Sequence, residues 1–212
     1  PPTTLIAGFP DLAGAMRAVI EITQRMRPAM LELMDGVCIN AVEDVTRMGL
    51  DRSLAAMLVA QSDEHPDQAA AEIALIEEVC QANGATEVYA TGDPDEGEAF
   101  VQARRMAIPA IEHLGTMVLE DVGVPVPVLG ELVAGLHEIA AEHDTTIAVL
   151  AHAGDGNTHP VLVYDPTDES AKERAHAAYG ATMDLAIRLG GTITGEHGVG
   201  RLKKPWLPEY LG

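Results

Sequence analysis

Aromatic side chains are nearly missing from this chain: Phe, Trp and Tyr make up 3% of 212 residues. Its core must therefore be assembled from Ala, Val, Leu, Ile and Met rather than from rings. Cysteine is as scarce. Cys38 and Cys80 are the only two, far apart and outside any Cys-x-x-Cys spacing, so no disulfide framework or thiolate metal site is on offer. Both read as small core hydrophobes in a reducing compartment. Positive charge is in short supply, with 13 Lys and Arg against 33 Asp and Glu and a net charge of −20. Phosphate backbones are bound by Lys and Arg, so a nucleic-acid partner is not expected. An acidic protein that takes an anionic ligand must gather its few cations locally, which gives weight to each Arg near a candidate site. No apolar run approaches the roughly 18 residues of a membrane span, and no signal-peptide pattern is visible. The chain starts Pro1-Pro2-Thr3 without an initiator Met and stops at Leu211-Gly212 after a Pro-rich stretch, and reads as a piece of a longer polypeptide.

What is present is ordinary globular material, 47% apolar, long enough for one large domain or two small subdomains. Strands are expected at 5–9, 29–34, 53–61 and 87–90, then at 115–121, 145–152 and 160–164. Helices are expected at 11–26 with Asp11 as cap, at 37–49, at 65–82 closed by Asn83-Gly84, at 96–111, at 128–142, and at 168–189 ended by Gly190-Gly191. Residues 122–127 read as a rigid Pro-rich connector. This order suggests an α+β fold, with helices covering one face of a largely antiparallel sheet. Strand-helix-strand order on both sides of a soft boundary near residue 92 hints at a duplicated unit.

Chemistry concentrates in His152-Ala-Gly-Asp-Gly-Asn-Thr-His159 and in Gly191-Gly-Thr-Ile-Thr-Gly-Glu196-His197-Gly198. Asp-Gly between β-rich segments favours a two-residue type I′ hairpin turn. With Asp155-Gly156 as that turn, His152 faces His159 directly, on one face, with Cβ atoms about 4.5–5.5 Å apart. Asn157 points to the same face. Two imidazoles so placed can close on one ion at about 2.0–2.1 Å each. The bland alternative is a surface hairpin tip with two unrelated histidines, because His-x6-His is no standard ligand spacing. Apolar residues on both faces of the flanking strands (Ile147, Val149, Leu150, Val161, Leu162, Val163) favour a buried hairpin, and buried histidines need partners. Glu196-His197 adds a carboxylate and a proton carrier among glycines that permit close backbone approach. No nucleotide-binding loop is present, since neither glycine cluster has the spacing of a dinucleotide fingerprint.

These two motifs, with Lys203, resemble the C-terminal domain of FAD-linked oxidases, the branch with D-lactate dehydrogenases, glycolate oxidase and D-2-hydroxyglutarate dehydrogenase. Weaker matches are Phe100–Pro109, Glu120–Pro125 and Pro28–Asp35, so the resemblance spans nearly the whole chain, 1–212. It implies duplicated ferredoxin-like subdomains packed on a separate FAD-binding domain that this chain lacks. It also implies roles: His152, His159 and Glu196 as ligands of a divalent metal (Zn, Fe or Mn), Asn157 and Arg104 as substrate-binding residues, and His197 as catalytic base. Arg104 alone would be read as an exposed helix arginine, Asp121 as a solvated strand end, and Lys203 and Lys204 as surface charge or local positive potential. The family's usual Trp before the substrate Arg is Val101 here. Leu119 stands where relatives acting on dicarboxylates can carry a Lys, which favours a monocarboxylate. The expected activity of the intact enzyme is oxidation of a D-2-hydroxy acid to a 2-oxo acid with FAD as hydride acceptor, this piece being inactive alone. A flavin-independent metal hydrolase and a non-catalytic binding or assembly domain are the rival readings. Expected partners are the FAD-binding domain and the 2-hydroxy acid, with a homo-oligomer left open. The expected location is cytoplasmic, with membrane association only through an electron-acceptor partner.

Overall fold

The computed structural model describes residues 2–212. The first half runs β1 (Thr3–Phe9), α1 (Leu12–Arg25), β2 (Met30–Asp35), α2 (Gly36–Thr46), β3 (Ala56–Ser62), α3 (Pro66–Ala82) and β4 (Glu87–Thr91). The second runs α4 (Pro94–Arg105), α5 (Ala107–Ile111), β5 (Thr116–Leu119), β6 (Val122–Gly123), α6 (Leu129–Glu142), β7 (Thr146–His152), β8 (Asn157–Tyr164) and α7 (Glu169–Arg188), followed by an irregular stretch and α8 (Leu207–Leu211). Among the described residues no helix is long and apolar enough to cross a membrane.

The strands form one sheet in the order β4-β1-β3-β2-β7-β8-β5, with β6 also on β8, and every pairing is antiparallel. Outward from the β2–β7 seam, each half repeats one pattern. In the first half the second strand is followed by the third, the first and the fourth. In the second half β7 is followed by β8 and then β5 with β6, and a single bridge from Gly123 to Thr192 stands where a fourth strand would lie. Each strand-helix-strand crossover skips one strand, which is why neighbours are antiparallel. The α+β class and the duplicated ferredoxin-like pattern are thus both present.

Alternation along β3 shows how the sheet is covered. Ala56, Leu58 and Ala60 join a large core with residues of α1, α3, α6 and α7, whereas Met57 and Val59 join a second core with α2, α4 and α5. Helical cover therefore extends beyond the one face expected, because the long links after β2 and β4 fold back over the other face.

Three local expectations need correction. The helix expected over 96–111 breaks after Arg105. Pro109 has no N–H to give the Arg105 carbonyl, and its ring crowds that oxygen. The strand expected over 115–121 stops at Leu119 and resumes at Val122, so the supposed connector begins as β6. The register on β8 is unchanged across the gap, Leu119 facing Val161 and Val122 facing Thr158. The ladder lapses opposite Pro160, which accepts from the Glu120 N–H at 2.8 Å but has no N–H to return.

The third is the hairpin. Across β7–β8, His152 faces Asn157 and His159 faces Leu150. The loop is four residues, 153–156, rather than two. A type I′ turn needs positive φ at both central residues, but Gly156 takes it (φ 84°) and Asp155 does not. Neighbouring strands hold the wider loop: the Gly154 N–H donates to the Leu31 carbonyl at 3.2 Å, and the Val124 N–H to the Gly156 carbonyl at 3.1 Å. The shift is by two residues, an even number, so the two histidines remain on one face, diagonal rather than opposed.

Candidate active site

The second core ends at the seam between the halves, and the polar residues gather there. On the same sheet face as Leu150 and Val161 stand His152, Asn157 and His159 of the hairpin and, from the adjoining strand, Glu32, which the β2–β7 register sets directly opposite His152. Arg104, in the last turn of α4, reaches Glu32 from the helix layer above, its Nε donating to Glu32 Oε2 at 2.8 Å. The pair is largely buried and joins residues 72 positions apart, so Arg104 is no exposed helix arginine.

Glu196 and His197 arrive on the irregular segment after α7, and Asp121 places them. Its Oδ2 accepts the backbone N–H groups of Gly195, Glu196 and His197 at 2.8, 2.8 and 2.7 Å and the Thr194 hydroxyl at 3.0 Å. Burial alone would raise this carboxyl. The N–H of His197, the Thr194 hydroxyl and the other two N–H groups outweigh it and hold the group down to about 2. Asp121 is fully buried, and so, nearly, is Lys203, whose ammonium donates to the Asp121 carbonyl at 2.8 Å and lies 3.2 Å from Glu120 Oε2. Neither is the solvated charge suggested by its neighbours in sequence. Gly195 is required for a different reason: a Cβ there would lie 2.3 Å from Asn157 Oδ1. That contact lets the Asn157 amide donate to Glu196 Oε1 at 2.8 Å.

One nitrogen of His152, one of His159 and one carboxylate oxygen of Glu196 lie within 4.8 Å of one another. His152 Nε2 is 3.2 Å and His159 Nε2 is 4.0 Å from Glu196 Oε1. The opposite ring nitrogens are committed elsewhere. His152 Nδ1 donates to Glu32 Oε1 at 2.6 Å, and His159 Nδ1 to the Glu120 carbonyl at 3.3 Å. Holding each proton on Nδ1 leaves both Nε2 lone pairs facing the Glu196 carboxylate. Three acceptors so close repel one another unless a proton or a cation lies among them, and two imidazoles with a carboxylate suit a divalent ion with coordination positions left open. The residues present therefore fit the metal that the family resemblance implies.

The environments of the two imidazoles differ. The hydrogen bond to Glu32 raises the pKa of His152, whereas burial, then the nearby His152, lowers that of His159. Glu32 would be raised by burial, but His152 and Arg104 together bring it below the usual carboxylate range. The rings of His152 and His159 meet edge-on with centroids 5.2 Å apart, and His197, exposed, stacks on His159 at 5.2 Å with 19° between planes.

A cavity of about 200 Å³ opens among these groups, lined by Arg104, His152, His159 and His197 and walled by Ile108, Leu119 and Leu150. A larger open cleft of about 670 Å³ adjoins it on the side of Arg27, Glu32, His152 and Glu196. All six site residues expected from sequence converge here. Asn157 does so by holding Glu196 rather than by lining the smaller cavity. Glu32 and the anchoring role of Asp121 were missed. The signal for Glu32 was faint: a single carboxylate in an otherwise apolar strand, Met-Leu-Glu-Leu-Met.

The chain as a whole has known relatives. A family model described as FAD linked oxidases, C-terminal domain, matches residues 2–212. The chain is 35% identical to glycolate oxidase subunit GlcD of Bacillus subtilis over 98% of its own length and 45% of that protein's. It is 29% identical to the D-lactate dehydrogenase of Archaeoglobus fulgidus over 99% and 45%. The chain thus spans less than half the length of these curated relatives. Among solved structures, p-cresol methylhydroxylase with substrate bound superposes with a TM-score of 0.70 at 12% identity, over the whole of this chain and 48% of that one. An alkyldihydroxyacetonephosphate synthase does so at 0.63 and 13%, covering 100% and 44%. At such identities these two show the fold alone.

Proposed function

The chain belongs to the family of FAD-linked oxidase C-terminal domains, and from that premise we propose that it forms the substrate side of a flavin-dependent D-2-hydroxy acid dehydrogenase or oxidase. The observation that carries the reading is the small cavity with one guanidinium on its wall, three histidines around it and no second cation among the residues that line it. A monocarboxylate of a few carbons fits that lining, and a dicarboxylate would leave its second charge against Leu119, Leu150 and Ile108.

In this reading His152, His159 and Glu196 hold a divalent cation, and Asn157 keeps the Glu196 carboxylate turned toward it. When bound, the cation supplies charge against the substrate oxygens, and FAD, carried by another part of the longer protein, supplies the hydride acceptor. Arg104 binds the substrate carboxylate and so fixes which face of C2 is presented. His197 takes the hydroxyl proton. Loss of that proton and of the C2 hydride converts the 2-hydroxy acid to the 2-oxo acid. The three apolar side chains exclude water from the reacting carbon.

Elemental analysis of the purified chain tests the ligand set: bound Zn, Fe or Mn should be present and should fall to background in a His152→Ala, His159→Ala double variant. Unchanged metal content would sink the assignment. In the longer flavoprotein, anaerobic bleaching of the flavin by D-lactate should slow by about 10²–10⁴-fold in His197→Ala. Turnover by the isolated chain without flavin would instead indicate a hydrolase.

A further inference from the structure

We propose that Glu32 is a positioning residue that sets the metal-binding tautomer of His152 and the orientation of Arg104 at once, so that the metal and carboxylate subsites share one buried anion. The proposal rests on the metal reading above and extends it to a residue of the opposite half of the fold. Glu32 is 8% exposed and lies in the centre of the sheet, between Val59 of β3 and His152 of β7. An ionised carboxylate buried at such a place must be offset by specific partners. Glu32 has two, one per oxygen. Oε1 accepts from His152 Nδ1 at 2.6 Å and Oε2 from Arg104 Nε at 2.8 Å.

Each bond has a chemical consequence. A proton held on Nδ1 keeps Nε2 of His152 as a lone pair directed at Glu196, the state that a metal requires. Anchoring Arg104 through Nε takes one donor of its fork and leaves both Nη groups without a hydrogen bond to protein, among the described residues, where they can meet a carboxylate. Among the described residues no other side chain hydrogen-bonds to both. The β2–β7 pairing that joins the halves is also what places the carboxylate between its partners, so the seam is a working part of the site.

Glu32→Gln separates the two duties. The glutamine amide offers one acceptor and one donor in place of two acceptors, and it therefore cannot serve both N–H groups. With its oxygen toward Arg104, its NH₂ faces His152 Nδ1 and drives the imidazole proton to Nε2, blocking the ligand position. With its oxygen toward His152, Arg104 is displaced.

Two measurements on the 212-residue chain test this. Zinc titration by calorimetry should show affinity weakened by about 10–100-fold in Glu32→Gln, and this effect should vanish when the same change is made in a His152→Ala background. A loss that persists in full there would mean a merely structural role and overturn the proposal. Imidazole ¹⁵N spectra of the metal-free chain, taken well above the His152 titration, should show wild-type His152 protonated on Nδ1. A wild-type ring protonated on Nε2 overturns the proposal even if the variant fails to fold. Absence of zinc binding by the wild type would sink the metal reading. The tautomer measurement would still decide whether Glu32 holds His152.

Discussion

Asp121 holds with one oxygen what a whole secondary-structure element would otherwise hold. Three consecutive N–H groups and a hydroxyl converge on its Oδ2, and this nest fixes the backbone that carries Glu196 and His197. Charge-assisted hydrogen bonds to a buried carboxylate are roughly twice as strong as neutral ones. Asp121→Asn removes the charge and turns a donor toward donors if its amide faces the loop. The expected cost is about 1–3 kcal/mol of stability, together with faster amide exchange at residues 195–197 while the exchange of β7 and β8 is unchanged. Equal acceleration in both regions would mean that Asp121 supports the core and not the loop. Nothing in Glu120-Asp121 as a dipeptide distinguishes this carboxylate from a solvated one, because its partners come from residues more than seventy positions away.

At the scale of elements, the β7–β8 hairpin is the frame of the site, and its loop length decides which side chains meet. Gly156 is the hinge of that loop. It sits at φ 84°, and a Cβ on it would come within 2.0 Å of the Val124 carbonyl oxygen. Gly156→Ala should therefore cost about 2–3 kcal/mol through backbone strain and the displaced carbonyl, read as a lowered unfolding midpoint in urea with an unchanged slope. A neutral outcome would show that the 124–126 segment yields freely. Apolar, β-rich runs made both strands legible in the sequence, and counting across the turn gave the shared face of the two histidines. The turn itself was not legible, because Asp-Gly states a preference for a tight hairpin that the hydrogen bonds of the loop with Leu31 and Val124 override. The break between α4 and α5 was written in the chain as Pro109 and could have been read there.

For the whole molecule, the two halves meet along three β2–β7 residue pairs and through helix packing, α1 on α6 and α2 on α5. Besides Glu32 with Arg104 and His152, a further ion pair crosses between them: His137 of α6 lies 3.1 Å from Asp35 Oδ2, and that carboxylate, fully buried, caps α2 through the Cys38 N–H at 2.9 Å. The hydrogen bond to Asp35 raises the His137 pKa above its ordinary 6.5. A raised folded-state value means the contribution is complete below 6.5 and is lost as pH rises through the folded value. His137 is 40% exposed, so solvent screening keeps the effect below about 1 kcal/mol. The difference in unfolding midpoint between wild type and His137→Ala should shrink as pH rises through that window. A difference that grows instead would show that the pair does not join the halves in the way its geometry suggests.

The amino-acid order by itself determined the elements, the repetition of strand-helix-strand units and the two motifs in which histidines and Glu196 gather, because periodicity, caps and glycine-dense bends are local properties. Tertiary structure alone decided where the halves join, and with that the neighbours of each polar group. Glu32 became the partner of His152 and Arg104 through strand register, Asp121 the anchor of Glu196 through a lapse opposite Pro160, and Lys203 a buried cation through the return of the chain. Each of these depends on pairing between residues distant in sequence, and a buried charge is defined by such partners and not by its neighbours along the chain.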